Sequence, residues 1–311
     1  MSQEPHHAGT VAIVGRPNVG KSTLLNALLG EPIAITSPHP QTTRDQILGV
    51  LTRPNAQFVF LDTPGIHTAK TRLGVRMNAL ALGALDQADV VVLLTQIKVG
   101  PVPQAAKCET MSDADRAILK ALPPSKPIVL ALNKVDRLKN KPALLPVLEA
   151  HAKEHPFAAL VPISALHSNG TDRLLDELQN LLPVQPKLFD DQTLSDKPVR
   201  FFVAEFVREQ ILRKTREEVP HGVAVVVERF DEAGPIPRIE LTIHVDKDSH
   251  KKILIGARGE LLKAIGTEAR ERVEAMLGKH VFLKLWVRVT PGWYTTDQGL
   301  STVGYTQVKS E

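Results

Sequence analysis

The chain has 311 residues, of which 43% are hydrophobic and 23% charged, and its net charge is +4. This composition is typical of a globular protein and excludes a disordered or fibrous chain. The length favours two domains, and the positive charge favours a polyanionic partner. The one cysteine, Cys108, excludes an internal disulfide and suits a reducing cytosol. No apolar run reaches the ~18 residues that a membrane-spanning helix needs.

The first part of the chain alternates short apolar runs with helical patterns. Two of the runs, 89–94 and 127–132, are continuously apolar, which is typical of strands that crossover helices bury on both faces. We therefore predict a doubly wound, mostly parallel α/β domain over 10–182, after a disordered N-terminus over 1–9. The predicted strands are 10–14, 46–52, 57–61, 89–94, 127–132 and 158–163. The predicted helices are 21–29, 71–87, 113–122, 142–153 and 171–182.

A phosphate-binding loop lies between the first predicted strand and the first helix. Its residues fit the pattern Gly-x-x-x-x-Gly-Lys-[Ser/Thr] and are Gly15, Arg16, Pro17, Asn18, Val19, Gly20, Lys21 and Ser22. Backbone N–H groups of such a loop surround phosphate oxygens at the positive end of the helix. We expect Lys21 to contact the β- and γ-phosphates and Ser22 to bind Mg²⁺, with Thr23 also in the nucleotide site.

Two further loops suit the metal and the γ-phosphate. Asp62-Thr63-Pro64-Gly65 follows an apolar strand, where a carboxylate can order a Mg²⁺-bound water and the Gly65 N–H can face the γ-phosphate. The loop 40–44 offers Thr43 to complete the Mg²⁺ shell, with Thr42 as the alternative. We expect loops 31–45 and 66–77 to sense the γ-phosphate.

The next two loops suit a guanine base. Asn133-Lys134-Val135-Asp136 follows the strand 127–132, and the Asp136 carboxylate can accept two hydrogen bonds from guanine, whereas adenine lacks the matching amine. We expect Asn133 to tie this loop to the phosphate loop and the Lys134 stem to cover the base. After the last strand, Ser164, Ala165 and Leu166 follow, where a backbone N–H can reach the guanine carbonyl.

These five motifs, in this order, resemble the translation-factor-related GTPases, which implies binding of GTP and GDP with Mg²⁺ and hydrolysis of GTP. Lys21, Thr43, Gly65 and Asn18 are the catalytic candidates. The usual glutamine that orients the attacking water is replaced by Ile66, so we expect slow intrinsic turnover. Related GTPases with asparagine at the Asn18 position use it to hold K⁺, and a loop-stabilising hydrogen bond is the alternative role.

A Pro-bearing linker, 183–197, precedes a second pattern over 198–290. We predict a helix near 199–214, strands near 222–230 and 238–245, helices near 249–255 and 260–277, and a strand near 281–289, followed by a flexible tail over 291–311. A Gly-x-x-Gly turn flanked by basic residues joins the last two helices, and such a turn lets a nucleic-acid backbone approach. The candidate RNA-binding residues are Lys251, Lys252, Ile255, Gly256, Ala257, Arg258, Gly259 and Lys263.

The order α-β-β-α-α-β predicts an α+β domain smaller than the first domain, and it resembles the type II KH domain. A P-loop GTPase domain followed by this domain resembles the Era GTPases. The resemblance implies a switch that binds the 3′ end of 16S rRNA and acts in assembly of the 30S subunit. It further implies a cytoplasmic protein with weak peripheral contact to the inner membrane, although the sequence offers no anchor, and we expect a monomer.

Two alternatives remain open from the sequence. One is a related GTPase that acts in RNA modification or in large-subunit assembly, which would lack Gly256-x-x-Gly259. The other is an RNA-binding scaffold that does not hydrolyse GTP, against which Lys21, Ser22, Asp62 and Asp136 argue.

Overall fold

The computed structural model describes residues 5–97, 111–138, 142, 144–215, 219 and 222–305. They form two compact units. The first comprises Met1–Ala34, Thr43–His67 and Met77–Asp196, and the second comprises Ile35–Thr42, Thr68–Arg76 and Lys197–Glu311. Cys108 lies outside the described residues. No described helix is both long and apolar enough to cross a membrane.

The first unit is built on a six-stranded sheet in the order β2-β3-β1-β4-β5-β6, in which only the β2–β3 pair is antiparallel. The strands are β1 (His7–Val14), β2 (Ile47–Arg53), β3 (Ala56–Asp62), β4 (Val90–Gln96), β5 (Ile128–Asn133) and β6 (Ala159–Pro162). The helices are α1 (Lys21–Leu29), α3 (Asp113–Ala121), α4 (Leu144–Ala152), α5 (Thr171–Leu181) and the part of α2 (Arg72–Gln87) from Met77 onward. This is the predicted P-loop α/β architecture.

Continuous apolar sequence explains the centre of this sheet. Every residue of β5, and all of β4 except its last, is buried, as expected for strands covered on both faces. Because parallel strands end at the same edge, β1, β3, β5 and β6 deliver the predicted nucleotide-site loops to one side of the sheet.

Two segments predicted to be irregular are held by the sheet. His7–Val14 is a strand whose first residue pairs with Ala56, so the disordered N-terminus is not observed from His7 onward, and residues 1–4 lie outside the described range. In the predicted linker, the Gln57 side-chain oxygen accepts from the backbone N–H groups of Leu188 at 2.7 Å and Phe189 at 2.9 Å. The linker therefore packs on the first unit.

The second unit has the predicted KH order of elements. They are α6 (Val199–Lys214), β7 (Val223–Asp231), β8 (Arg238–Val245), α7 (Asp248–Ile255), α8 (Glu260–Leu277) and β9 (Phe282–Val289). The sheet order is β7-β8-β9, with β8 antiparallel to β7 and parallel to β9. Alternate residues of β8, namely Ile239, Leu241, Ile243 and Val245, are fully buried and form the core face of this sheet.

The predicted flexible tail is folded as far as Tyr305. A short helix, α9 (Asp297–Thr302), is capped at its N-terminus by Thr296, whose side chain accepts from the Gly299 N–H. The Trp293 side chain is 1% exposed and its indole N–H donates to the Gly222 carbonyl at 3.0 Å. Burial of this one large aromatic ring anchors a segment that has no periodic pattern to reveal it. Residues 306–311 lie outside the described range.

Candidate nucleotide site and nucleic-acid groove

The phosphate loop connects β1 to α1 and encloses the Lys21 side chain. Gly20 precedes α1 with φ at 105°, a conformation that favours glycine. Lys21 is buried, with 6% of the residue exposed, and its ammonium donates to the carbonyls of Gly15 at 3.2 Å and Arg16 at 3.1 Å. Burial lowers the pKa of Lys21 to about 8, and the Asp62 charge opposes that shift. The ammonium is thus poised where a phosphate would relieve its poor solvation.

Three oxygen-bearing side chains converge beside Lys21. The Ser22 hydroxyl donates to Asp62 Oδ2 at 2.7 Å, and Thr43 Oγ1 lies 2.8 Å from Ser22 Oγ. Asp62 Oδ1 is buried and has no hydrogen-bond partner among the described residues. Burial raises the pKa of Asp62 to about 6, against the opposing Lys21 charge. A set of hard oxygens with an unpaired buried carboxylate oxygen fits Mg²⁺.

Asn133 joins three loops at the edge of the sheet. Its side chain is buried, and its amide group donates to the Val19 carbonyl at 2.8 Å. Its oxygen accepts from the backbone N–H groups of Lys134 at 2.7 Å and Ala165 at 3.0 Å. The structure thus contains the expected tie between this loop and the phosphate loop. The Ala165 N–H is thus engaged by Asn133, and a contact from a backbone N–H of this segment to the guanine carbonyl stays a prediction.

The remaining base-side residues flank Asn133. The Ser164 hydroxyl donates to Asp136 Oδ1 at 2.6 Å, which orients the carboxylate predicted to read guanine. The Lys134 ammonium donates to the Asn18 carbonyl at 2.8 Å and to the Gln96 side chain. Burial, followed by nearby cations, lowers the pKa of Lys134. The side chain of Leu166 projects into solvent.

The loop after β3 meets the phosphate loop closely. The Thr63 hydroxyl donates to the Ile13 carbonyl at 2.9 Å, and a Cβ added to Gly65 would lie 2.8 Å from the Pro17 nitrogen. Ile66 packs against the hydrophobic core of the first unit. This half-buried aliphatic side chain has no polar atom with which to orient a water molecule.

Two partners of the site were missed by the motif analysis. The Arg16 guanidinium donates to Asp115 Oδ1 at 2.7 Å, and the Asp115 side chain is buried. Gln96 at the end of β4 holds Lys134. The sequence signal at Asp115 was Ser112-x-x-Asp115, which indicates only the start of α3, whose N-cap is Ser112.

The Gly-x-x-Gly turn lies between α7 and α8 in the second unit. Gly256 has φ at 71° and a Cβ there would lie 2.8 Å from the Leu261 Cβ. Arg258, with φ at 51°, and Ala257 are exposed, as are Lys252 and Lys263. Ile255 and Lys251 are half-buried. The turn therefore presents backbone and positive charge to solvent.

A groove runs from this turn along α8 to β9. Of the predicted RNA-binding residues, only Gly259 and Lys263 line it. The groove residues that sequence analysis missed are Leu262, Gly266, Thr267, Arg270, Leu283, Lys284 and Leu285. An apolar floor between cations is the chemistry of a groove for unstacked bases and phosphates.

Comparison with known proteins identifies the family. A family model described as 50S ribosome-binding GTPase matches residues 10–134, and a KH-domain model matches 218–294. GTPase Era of Geotalea daltonii is 45% identical over 307 residues, covering 98% of this chain and 100% of the relative. The chain belongs to the Era family of GTPases. Era of Lacticaseibacillus paracasei is also 45% identical, over 96% of this chain and 97% of its own.

Solved Era structures share the whole fold. Era in complex with MgGDPNP and nucleotides 1506–1542 of 16S ribosomal RNA matches with a TM-score of 0.89 and 39% identity over 97% of this chain and 100% of that one. A variant of Aquifex aeolicus Era bound to GDP and AlF4⁻ matches with a TM-score of 0.89 and 38% identity, over the same shares. A P-loop GTPase domain followed by a KH domain is thus the family architecture.

Proposed function

We propose that this protein is a GTP-hydrolysing switch that binds 16S rRNA near its 3′ end through the KH domain and acts in assembly of the small ribosomal subunit. The observation that carries the proposal is the convergence of Ser22, Thr43 and Asp62 beside the buried Lys21 ammonium. This arrangement occurs in a chain that also presents a cationic Gly-x-x-Gly groove. We propose that it works in the cytoplasm as a monomer.

The polar groups of the site suit a magnesium-bound triphosphate. Ser22 and Thr43 would hold Mg²⁺ directly and Asp62 would hold it through water, and the ion supplies positive charge to the β- and γ-phosphate oxygens. Lys21 exchanges its two carbonyl acceptors for phosphate oxygens, which form stronger charge-assisted hydrogen bonds. The Gly65 N–H contacts the γ-phosphate in this proposal.

Guanine selection follows from Asp136. Its carboxylate accepts from the ring N–H and the exocyclic amine of guanine, with Ser164 fixing its orientation. Adenine presents a lone pair there, so the carboxylate would lose both partners and face that lone pair, and such mismatches cost roughly 10⁴-fold in selectivity.

Turnover is proposed to be slow because the aliphatic Ile66 packs against the core and offers no hydrogen bond to the attacking water. Positioning and charge stabilisation are most of phosphoryl-transfer catalysis. We propose that Asn18 holds a K⁺ ion that supplies part of the missing charge. Equal turnover in K⁺ and Na⁺ would remove Asn18 from that role.

The proposed RNA target rests on the relative crystallised with nucleotides 1506–1542 of 16S ribosomal RNA. The nucleotide state can influence the KH unit because segments of both predicted γ-phosphate sensors, 35–42 and 68–76, belong to the same compact unit. In that unit the Arg208 guanidinium donates to the Thr42 carbonyl, and Arg72 binds both carboxylate oxygens of Asp297 at 3.0 and 2.5 Å.

A change of nucleotide specificity from GTP to XTP tests the GTPase assignment. Asp136→Asn replaces an acceptor by an amide that can donate to the extra carbonyl of xanthine. We expect this variant to lose GTP hydrolysis and to hydrolyse XTP, while the wild-type protein hydrolyses GTP and not ATP. Asp172→Asn, at an exposed position on α5, is the matched control and should leave GTP turnover unchanged. Hydrolysis of ATP and GTP at equal rates would refute the proposal.

A further inference from the structure

The edge strand β9 has two different faces. Leu283, Leu285 and Val287 pair in register with the buried Ile239, Leu241 and Ile243 of β8, and they face the core and the groove. The alternate residues therefore lie on the opposite face of the sheet, because successive side chains of a strand alternate. They are Phe282, Lys284, Trp286 and Arg288, and we call them the outer β9 strip.

The outer β9 strip is exposed and alternates aromatic with cationic side chains. Phe282 is 52% and Trp286 53% exposed, which is unusual for large aromatic rings. The Lys284 ammonium lies 4.5 Å from the centroid of the Trp286 ring. No acidic residue occurs in β9, and the exposed Arg238 pairs with Phe282 from β8. The half-buried Glu240 lies opposite Lys284 and Asp231 pairs with Arg238, so the positive charge of the strip comes from its own Lys284 and Arg288.

We propose that the outer β9 strip is a second single-stranded RNA site, which stacks unpaired bases on Trp286 and Phe282 and neutralises phosphates with Lys284 and Arg288. The inference rests on the proposed function. Aromatic rings beside cations bind single strands because every base has a face to stack and every linkage a charge, and each stacked base contributes ~1–3 kcal/mol.

The strip is continuous with the groove. The strip meets the groove at Lys284, which belongs to the strip and also borders the groove beside Leu283 and Leu285 at the sheet edge. An RNA strand that leaves the groove across the edge of β9 therefore meets the strip without crossing a helix. A Gly-x-x-Gly turn clamps about four nucleotides, and the proposed 16S target is several times longer, so RNA is present to occupy a second site.

The spacing of the strip suits splayed bases. Phe282 and Trp286 are four residues apart on one strand, which places them about 13 Å apart at ~3.3 Å per residue. Lys284 lies between them. This separation exceeds the distance between stacked neighbouring bases and matches a strand whose bases are unstacked, which is the form of RNA that a KH groove also takes.

Tryptophan fluorescence tests the proposal directly, because the chain has two tryptophans. Trp286 is 53% exposed and Trp293 is 1% exposed, so iodide quenching reports Trp286. The probes are a single strand of about 12 nucleotides from the 3′ end of 16S rRNA and its tighter-binding half. We expect the longer RNA to quench Trp286 and protect it from iodide. Trp286→Ala should weaken the longer RNA about tenfold and leave the half unchanged, while Trp286→Phe should retain most of the affinity.

Each remaining outcome separates the strip from the groove. If Trp286→Ala leaves the affinity of the longer RNA unchanged, the strip serves another partner, such as a protein, and the proposal is wrong. Equal weakening of both RNAs would also overturn it, because Trp286 would then act on the groove. If Gly256→Ala, in which the strip is intact, binds neither RNA, the groove is required for both and the proposed function is supported. If neither RNA binds the wild-type protein, the proposed function and the second site fail together.

Discussion

Replacing Asn133 by alanine removes the side chain that joins the phosphate loop to both base-side loops. Three hydrogen bonds are lost, to the Val19 carbonyl and to the N–H groups of Lys134 and Ala165, at 2.8, 2.7 and 3.0 Å. Loss of the bond to the Lys134 N–H, which water can replace, costs about 1 kcal/mol, whereas each buried partner left unpaired costs about 1–3 kcal/mol. Because Val19 and Ala165 are both buried, we expect the free energy of unfolding to fall by about 3–7 kcal/mol.

The assay is urea unfolding of the nucleotide-free protein, with GDP affinity measured in parallel by a fluorescent analogue. We expect GDP affinity to fall at least about tenfold, because the base and phosphate loops are no longer held together before binding. Asn180→Ala, an exposed asparagine on α5, is the control and should change the unfolding free energy by less than about 0.5 kcal/mol. If Asn133→Ala matches this control in stability and GDP affinity, the three hydrogen bonds of Asn133 have no energetic role.

Three further predictions follow from the two sites. The Asp62 carboxyl, with a pKa of about 6, gives the nucleotide-free protein a stability contribution that is complete below about pH 4 and lost as the pH rises through 6. Because Mg²⁺ binding needs the ionised Asp62 carboxylate, Mg²⁺-dependent GDP affinity should fall about tenfold per pH unit below 6. Asp62→Asn should remove that pH dependence, and an equal pH dependence in Asp62→Asn would contradict the prediction. Gly65→Ala places a Cβ 2.8 Å from the Pro17 nitrogen, so GTP turnover should fall at least about tenfold while GDP affinity stays within a few-fold. Turnover is measured by phosphate release, and an unchanged rate would be the contrary result. Gly256→Ala meets the Leu261 side chain at a φ of 71°, and we expect a loss of about 1–3 kcal/mol in stability together with weaker RNA binding by anisotropy, with GTP hydrolysis intact.

The regular elements were predictable because their patterns are long. The α8 prediction, 260–277, and the β8 prediction, 238–245, have the observed bounds, and α2 differs by one residue. In each case periodic apolar residues meet a glycine or polar stop, so local sequence and tertiary burial agree. The continuous apolar runs of β4 and β5 likewise predicted burial on both faces.

Segments held by a single distant partner were not predictable. The indole N–H of the buried Trp293 donates to the Gly222 carbonyl, and the linker is held by Gln57, more than 100 residues earlier. Neither segment has a period, so composition alone predicted mobility. The same limit applies in the candidate nucleotide site, where local motifs predicted site residues but not their structural partners Asp115 and Gln96. A pairing between distant residues leaves no trace in local sequence.

Crosslinking the protein to RNA in cells and sequencing the adducts tests the central claim most directly. We predict crosslinks at the 3′ end of 16S rRNA in the wild-type protein and their loss in Gly256→Ala, compared at equal protein abundance. Crosslinks concentrated in 23S rRNA or in transfer RNA, and unaffected by Gly256→Ala, would contradict the account of this protein as a small-subunit switch.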